Sequence, residues 1–244
     1  MSKESIYEIP VNDAFLAESE CPFCYMLDVL EKNTVDYMMG PSYMEDDIRT
    51  ETNKMGFCQK HYNKMFKKQN SLGLALMLHT HIQQINKDLT KMLPSNGAPS
   101  VIKKGFFSKP ILQNNVAGHL HKLHDECYIC KKIENTFVNY LDTFFYLWKK
   151  DDKFAEKVKQ SKGFCLEHFA DIYETAPNKL STNECEDFYK VIVKIQLENM
   201  ARIDGELSWF IDKFDYRYKD EPWKNSKDAL PRSIQKVSSE IIDN

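Results

Sequence analysis

Gly56-Phe57-Cys58-Gln59-Lys60-His61-Tyr62 recurs as Gly163-Phe164-Cys165-Leu166-Glu167-His168-Phe169, and Glu20-Cys21-Pro22-Phe23-Cys24 recurs as Glu126-Cys127-Tyr128-Ile129-Cys130. Cys127 lies 106 positions after Cys21, and Cys165 lies 107 positions after Cys58. Two motifs repeated in the same order at nearly the same offset mark an internal duplication. Each copy reads C-x2-C, then an insert, then G-F-C-x2-H followed by an aromatic. The insert holds 33 residues between Cys24 and Cys58 and 34 between Cys130 and Cys165.

Outward from these motifs the pattern is helical. Ile133, Phe137, Tyr140, Phe144 and Leu147 fall on one face at 4-3-4-3 spacing, as do Ile203, Leu207, Phe210 and Phe214, preceded by Phe188, Val191 and Ile195. The runs Cys24 to Met39 and His61 to Leu93 read the same way, with Gly73 as the point where the second would bend or divide. Alternating strand patterns are absent. The expected fold is all-α, two tandem helical repeats each organised around a Cys3His metal site. Residues 1–93 form the first repeat, 94–110 a Pro/Gly/Ser-rich linker, 111–215 the second repeat, and 216–244 a C-terminal loop with a short amphipathic helix from about Pro231 to Ile242.

Zinc in a structural site takes four thiolate or imidazole ligands in a tetrahedron. Two cysteines two residues apart at a tight turn or helix start can aim both sulfurs at one ion. In G-F-C-x2-H the cysteine and histidine share one face of a helix, and the preceding glycine supplies the turn into it. A cysteine in a first helical turn also gains from the unpaired N–H groups and the positive dipole end, which favour thiolate. The simplest grouping pairs neighbours within each repeat: Cys21, Cys24, Cys58 and His61 in one site, Cys127, Cys130, Cys165 and His168 in the other. Two zinc ions per chain are the expectation. Pairing of half-sites across the repeats is the alternative, and an iron–sulfur cluster with a histidine ligand is a second choice of cofactor.

Other cysteine and histidine residues carry less. Cys185 has no counterpart in the repeat and reads as an ordinary packed or surface thiol. His79 and His81 point about 200° apart on a helix and cannot share a ligand face. His119, His121 and His124, just before the second C-x2-C, read as solvated, with a place behind a metal ligand as the alternative.

Composition bounds the function. The 244 residues carry a formal net charge of −3, which gives no electrostatic reason to expect nucleic acid or an anionic membrane as partner. The start, Met1-Ser2-Lys3-Glu4-Ser5-Ile6-Tyr7, lacks the basic-then-apolar pattern of an export signal, and the longest apolar run, about Leu72 to Leu78, is far short of a bilayer span. A cytoplasmic setting follows, in which seven cysteines suit metal or redox chemistry better than disulfides.

The paired motifs, with Lys213-Phe214-Asp215-Tyr216-Arg217 and Pro222-Trp223-Lys224-Asn225-Ser226-Lys227-Asp228-Ala229-Leu230-Pro231-Arg232 near the end, resemble an uncharacterised bacterial family, a domain of unknown function found in anaerobic, clostridia-like bacteria. The resemblance covers essentially the whole chain and implies no established activity. The residues themselves leave three functions open. One is a structural-zinc interaction or regulatory module that recognises another protein or a small ligand. The second is a thiol-based redox switch that releases zinc on oxidation. The third is a metal-dependent enzyme or small-ligand binder with a pocket between the repeats, for which no nucleophile elbow, phosphate loop or H-E-x2-H motif speaks.

Overall fold

The computed structural model describes residues 5–95, 97, 99, 101–102, 111–112 and 115–242. Among these the fold is all-α, with 77% of the described residues helical. The helices are α1 (Ser5–Leu16), α2 (Pro22–Met39), α3 (Asp46–Met55), α4 (Gln59–Phe66), α5 (Ser71–Met92), α6 (Val116–Asp125), α7 (Tyr128–Lys150), α8 (Asp152–Gln160), α9 (Leu166–Lys179), α10 (Thr182–Asp212) and α11 (Ala229–Ser238). The strand content is one antiparallel pair of two-residue strands, β1 (Val101–Ile102) and β2 (Ile111–Leu112), with Val101 opposite Leu112. Most of the expected linker at 94–110 lies outside the described residues.

The chain divides into two compact units, and their borders are not those of the sequence repeat. One comprises residues 1–30 and 135–244, the other residues 31–134. The cuts fall inside α2 and α7, so each of these long helices contributes to both units.

In the discontinuous unit, α1 packs on α8, and α10 packs on α8, α9 and α11. Its core is aromatic: Phe15, Phe23, Phe144, Phe145, Phe154, Phe164 and Phe188 are all buried. Phe144 lies within 5.1–6.4 Å, ring to ring, of the other six, mostly edge to face, the arrangement ring quadrupoles favour. The expected stripe on α7 is present, with Tyr140, Phe144 and Leu147 buried. On α10 the inward residues include Phe188, Ile192, Ile195 and Ile203, but Phe214 lies beyond the helix end and is exposed. A capping box at Ser181 and Glu184 starts α10.

In the continuous unit, α5 packs on α3 and α4. Its core is softer, built from Val35, Met38, Met39, Ile48, Phe57, Met65, Met77 and Ile129. The run expected to be divided at Gly73 breaks earlier, between Phe66 and Ser71. There Gln69 turns left-handed at φ 62° and the Asn70 side chain caps α5 by accepting from the Gly73 N–H. Gly73 therefore sits in the first turn of a helix rather than at a hinge.

Candidate metal centres

Both Gly-Phe-Cys turns form as expected. Gly56 and Gly163 adopt φ 62° and 74°, in the left-handed region that favours glycine. A Cβ at Gly56 would collide with the His81 ring. Each turn delivers its cysteine to the N-cap of a short helix, Cys58 on α4 and Cys165 on α9, with the histidine on that helix's first turn. The C-x2-C cysteines stand at the same place on two other helices. Cys21 and Cys127 immediately precede α2 and α7, their carbonyls accepting from Tyr25 N–H and Lys131 N–H, while Cys24 and Cys130 lie in the first turn. Every donor thus comes from a helix N-terminus, where orphan N–H groups and the dipole favour a thiolate.

The grouping corrects the expectation. Cys21 and Cys24 meet Cys165 and His168, and Cys58 and His61 meet Cys127 and Cys130; within each group the ligand atoms all lie within 4.8 Å of one another. Each C-x2-C pairs with the C-x2-H of the opposite repeat, so Cys21 is not joined to Cys58, nor Cys127 to Cys165. Both Cys3His groups could hold a metal ion. Each lies wholly within one unit, the Cys21 centre in the discontinuous unit and the Cys58 centre in the continuous one.

At the Cys21 centre all four residues are buried. His168 Nδ1 lies 3.5 Å from Cys21 Sγ, 3.4 Å from Cys24 Sγ and 3.0 Å from Cys165 Sγ, and Cys24 Sγ is 3.5 Å from Cys165 Sγ. The imidazole packs against Phe23 and Phe137, with centroids at 5.7 and 5.3 Å. The turn is pinned by Gln196, whose amide accepts from Phe164 N–H and donates to Phe164 O, both at 3.0 Å. The C-terminal segment closes over this centre. Ser239 Oγ donates to Cys165 Sγ at 3.1 Å, and the buried Lys236 ammonium donates to the carbonyls of Glu20, at 2.6 Å, and Lys162, at 2.5 Å. Glu20, beside Cys21, is itself buried and receives Arg202 at 2.5 Å, Arg232 at 3.3 Å and Lys236 at 3.4 Å.

The Cys58 centre is more open: His61 and Cys127 are buried, Cys58 is half-buried and Cys130 is exposed. His61 Nδ1 lies 3.3 Å from Cys58 Sγ, 3.2 Å from Cys127 Sγ and 3.4 Å from Cys130 Sγ, and Cys58 Sγ is 3.8 Å from Cys130 Sγ. The second ring nitrogen, Nε2, faces Glu31 Oε1 at 2.9 Å. Glu31 in turn receives Lys64 at 2.6 Å and Lys60 at 3.1 Å. A carboxylate behind a metal-binding histidine fixes its tautomer and raises its basicity. A cavity of about 280 Å³ adjoins Cys58, lined by Phe57, Gln59, His81, Leu120, Leu123 and His124.

Within each group the thiol and imidazole protons are held unevenly. Against its burial, His61 is raised to about 9 by Cys127 and Glu31. Against its burial, Cys127 is lowered to about 6 by His61 and by backbone N–H groups, whereas burial and the neighbouring thiols push Cys130 up to about 12. At the Cys21 centre His168 is raised to about 10 by Cys165 and Cys21 in spite of burial. Hydrogen bonds from Cys21 and Cys24 drive Cys165 well below the thiol range, whereas hydrogen bonds with Cys165 and Cys21, together with burial, drive Cys24 well above it. Three crowded thiols cannot all ionise beside one imidazolium; a bound dication would displace these protons and let every sulfur ligate.

The remaining sulfur and imidazoles stay outside both groups. Cys185 is half-buried, its Sγ near the carbonyls of Ala176 and Leu180 at 3.6 and 3.7 Å. His81 is buried, with Nδ1–H donating to Asn53 O at 2.8 Å. His124 is exposed at the rim of the cavity beside Cys58.

Glu20 belonged to the repeated motif without a role assigned to it, and four other residues that shape the centres carried no signal of their own: Glu31, Gln196, Lys236 and Ser239. One comparison could have found Glu31. It lies seven residues after Cys24, and seven residues after Cys130 stands Phe137; Glu31 faces His61 and Phe137 packs on His168, each the histidine of the centre other than that of its own C-x2-C. The tail helix was expected from about Pro231 to Ile242. It spans Ala229–Ser238, ends at the left-handed Ser239, and its buried side chains are Ala229, Gln235 and Lys236, with Trp223 and Ile234 half-buried.

The match to known families covers residues 1–244 with the description "Family of unknown function (DUF6062)". The chain belongs to that family. No curated protein and no solved structure matches this DUF6062 chain. Among its described residues no helix is long and apolar enough to cross a membrane.

Proposed function

We propose that this protein binds two zinc ions, one at each Cys3His centre, and that the metal holds a helical scaffold serving as an interaction or regulatory module. The observation that carries the reading is the spacing of the donors. A tetrahedron with Zn–S of about 2.3 Å and Zn–N of about 2.0–2.1 Å has sulfur–sulfur edges of about 3.8 Å and sulfur–nitrogen edges of about 3.5 Å. The corresponding separations are 3.5 Å for Cys24–Cys165, 3.8 Å for Cys58–Cys130 and 3.0–3.5 Å for the sulfur–nitrogen pairs, with all donor atoms of a group within 4.8 Å. A bond between sulfurs would need about 2.05 Å. An iron–sulfur cluster places several atoms between its ligands and would spread them wider, which favours a single ion over a cluster.

With four protein donors each, both groups have the composition of structural rather than catalytic zinc sites. Each would clamp the starts of two helices far apart in sequence, α2 to α9 and α4 to α7. Thiolate ligands suit a reducing cytoplasmic setting. The expected partner is another protein or a small ligand, and the net charge of −3 speaks against nucleic acid.

Elemental analysis of protein purified without oxygen, with thiol counts before and after a chelator, tests this reading. The expected result is two zinc per chain, one per group, with Cys185 reactive at the outset and the six clustered thiols unmasked by the chelator. Absence of zinc, or iron accompanied by sulfide, overturns it.

A further inference from the structure

The two centres share a donor set but not an environment, and the difference falls on the sulfur atoms. At the Cys21 centre every sulfur is buried beneath phenylalanines and the C-terminal segment. At the Cys58 centre Cys130 is exposed, Cys58 is half-buried beside an open cavity, and their sulfurs lie 3.8 Å apart. Closing that gap to about 2.05 Å makes a disulfide, a shift small enough for side-chain rotation and slight movement of the first turns of α4 and α7. The surrounding core is rich in methionine, which has three rotatable side-chain bonds and tolerates repacking.

Resting on the two-zinc reading, we infer that the Cys58 centre is a peroxide-sensitive release site in which Cys130 is oxidised and Cys58 resolves it, while the Cys21 centre keeps its ion. The Cys130 thiolate attacks one oxygen of hydrogen peroxide; the O–O bond breaks, a sulfenic acid forms and hydroxide leaves. The Cys58 thiolate then attacks the sulfenic sulfur, forming the S–S bond and expelling a second hydroxide. Two sulfurs lose one electron each, peroxide takes up both, and two protons from solvent turn the hydroxides into water. The ion loses two of its four ligands and leaves His61 and Cys127. A thiol reductant and added zinc reverse the sequence.

Access distinguishes the centres because susceptibility follows thiolate character and exposure together. Zinc ligation gives all six sulfurs thiolate character, so exposure decides. Peroxide reaches Cys130 from solvent, whereas Cys21, Cys24 and Cys165 are reached only by opening the phenylalanine core or lifting the tail.

The test uses the full zinc-loaded chain, titrated with hydrogen peroxide while released zinc is read with a chromogenic chelator and disulfides are mapped by mass spectrometry. The expected result is loss of one zinc with a Cys58–Cys130 disulfide, the other ion persisting to roughly tenfold higher peroxide. Cys130→His, which keeps a four-donor set without an oxidisable sulfur at the exposed corner, should hold both ions through the first phase. Simultaneous loss of both ions, first oxidation at Cys21, Cys24 or Cys165, or a Cys127–Cys130 disulfide in the unmodified chain overturns the inference and leaves the two-zinc reading standing. A chain that carries no zinc before oxidation overturns both.

Discussion

The Cys21 and Cys58 centres descend from one duplicated pattern and are built alike, from the N-termini of two helices each, yet they sit in different surroundings. Around the Cys21 centre lie phenylalanines packed mostly edge to face, and a network of buried Glu20 and Lys236 with half-buried Arg202 and Arg232 ties the tail across it. Around the Cys58 centre lie methionines, an exposed sulfur and a cavity. The same structural position behind the histidine holds Phe137 in one and Glu31 in the other. Duplication kept the ligands, and divergence worked on what touches them. A buried, aromatic setting slows ligand exchange by excluding water and reagents; a partly open one with a carboxylate–histidine contact strengthens one ligand while leaving another accessible.

The largest effect that would break the comparison is loss of a ligand at the buried centre. His168→Ala should unfold the discontinuous unit, because structural zinc supplies about 10–16 kcal/mol of combined binding and folding free energy in zinc-finger peptides. Circular dichroism melting of the variant beside the parent checks this; an unchanged melt would show that the buried centre does not hold the fold. Next comes the tail anchor. Lys236→Met leaves two backbone carbonyls without their ammonium donor and Glu20 with fewer counter-charges, an expected cost of about 3 kcal/mol by denaturant titration. Part of that loss should return in the Glu20→Gln/Lys236→Met pair.

A smaller effect sharpens the contrast at the open centre. Glu31→Gln removes the carboxylate behind His61 and should weaken zinc there by about 10–100-fold while leaving the Cys21 centre unchanged, as read by competition with a chelator of known affinity. Equal weakening of both ions would mean that the centres are coupled rather than separate. The smallest change is Ser239→Ala, which deletes one hydroxyl donor to Cys165. It should cost about 1 kcal/mol or less and speed zinc exchange at the buried centre alone.

All-helical architecture was legible from apolar spacing on α7 and α10. The donor residues of both centres were legible because thiolate-and-imidazole chemistry demands rare residue types at fixed i, i+3 spacing, and the duplication repeated them. The glycine turns were legible too, since Gly56 and Gly163 occupy the left-handed backbone that a side chain would resist. Less accessible was Lys236, because a lysine near a chain end reads as solvated until the fold brings buried carbonyls to it.

What the sequence determined by itself, then, is the helical class, the two turns and a set of eight donors able to take metal. Which donors share a centre was decided only in the tertiary structure, and the reason is helix length. The 18-residue α2 rises about 27 Å beyond Cys21 and crosses from one unit into the other, so Cys21 and Cys58 belong to different units. The 23-residue α7 rises about 35 Å beyond Cys127 and likewise crosses between the units, so Cys127 and Cys165 belong to different units. Each C-x2-C is therefore completed by the C-x2-H of the other repeat, an outcome that local spacing does not encode and that packing of whole helices does.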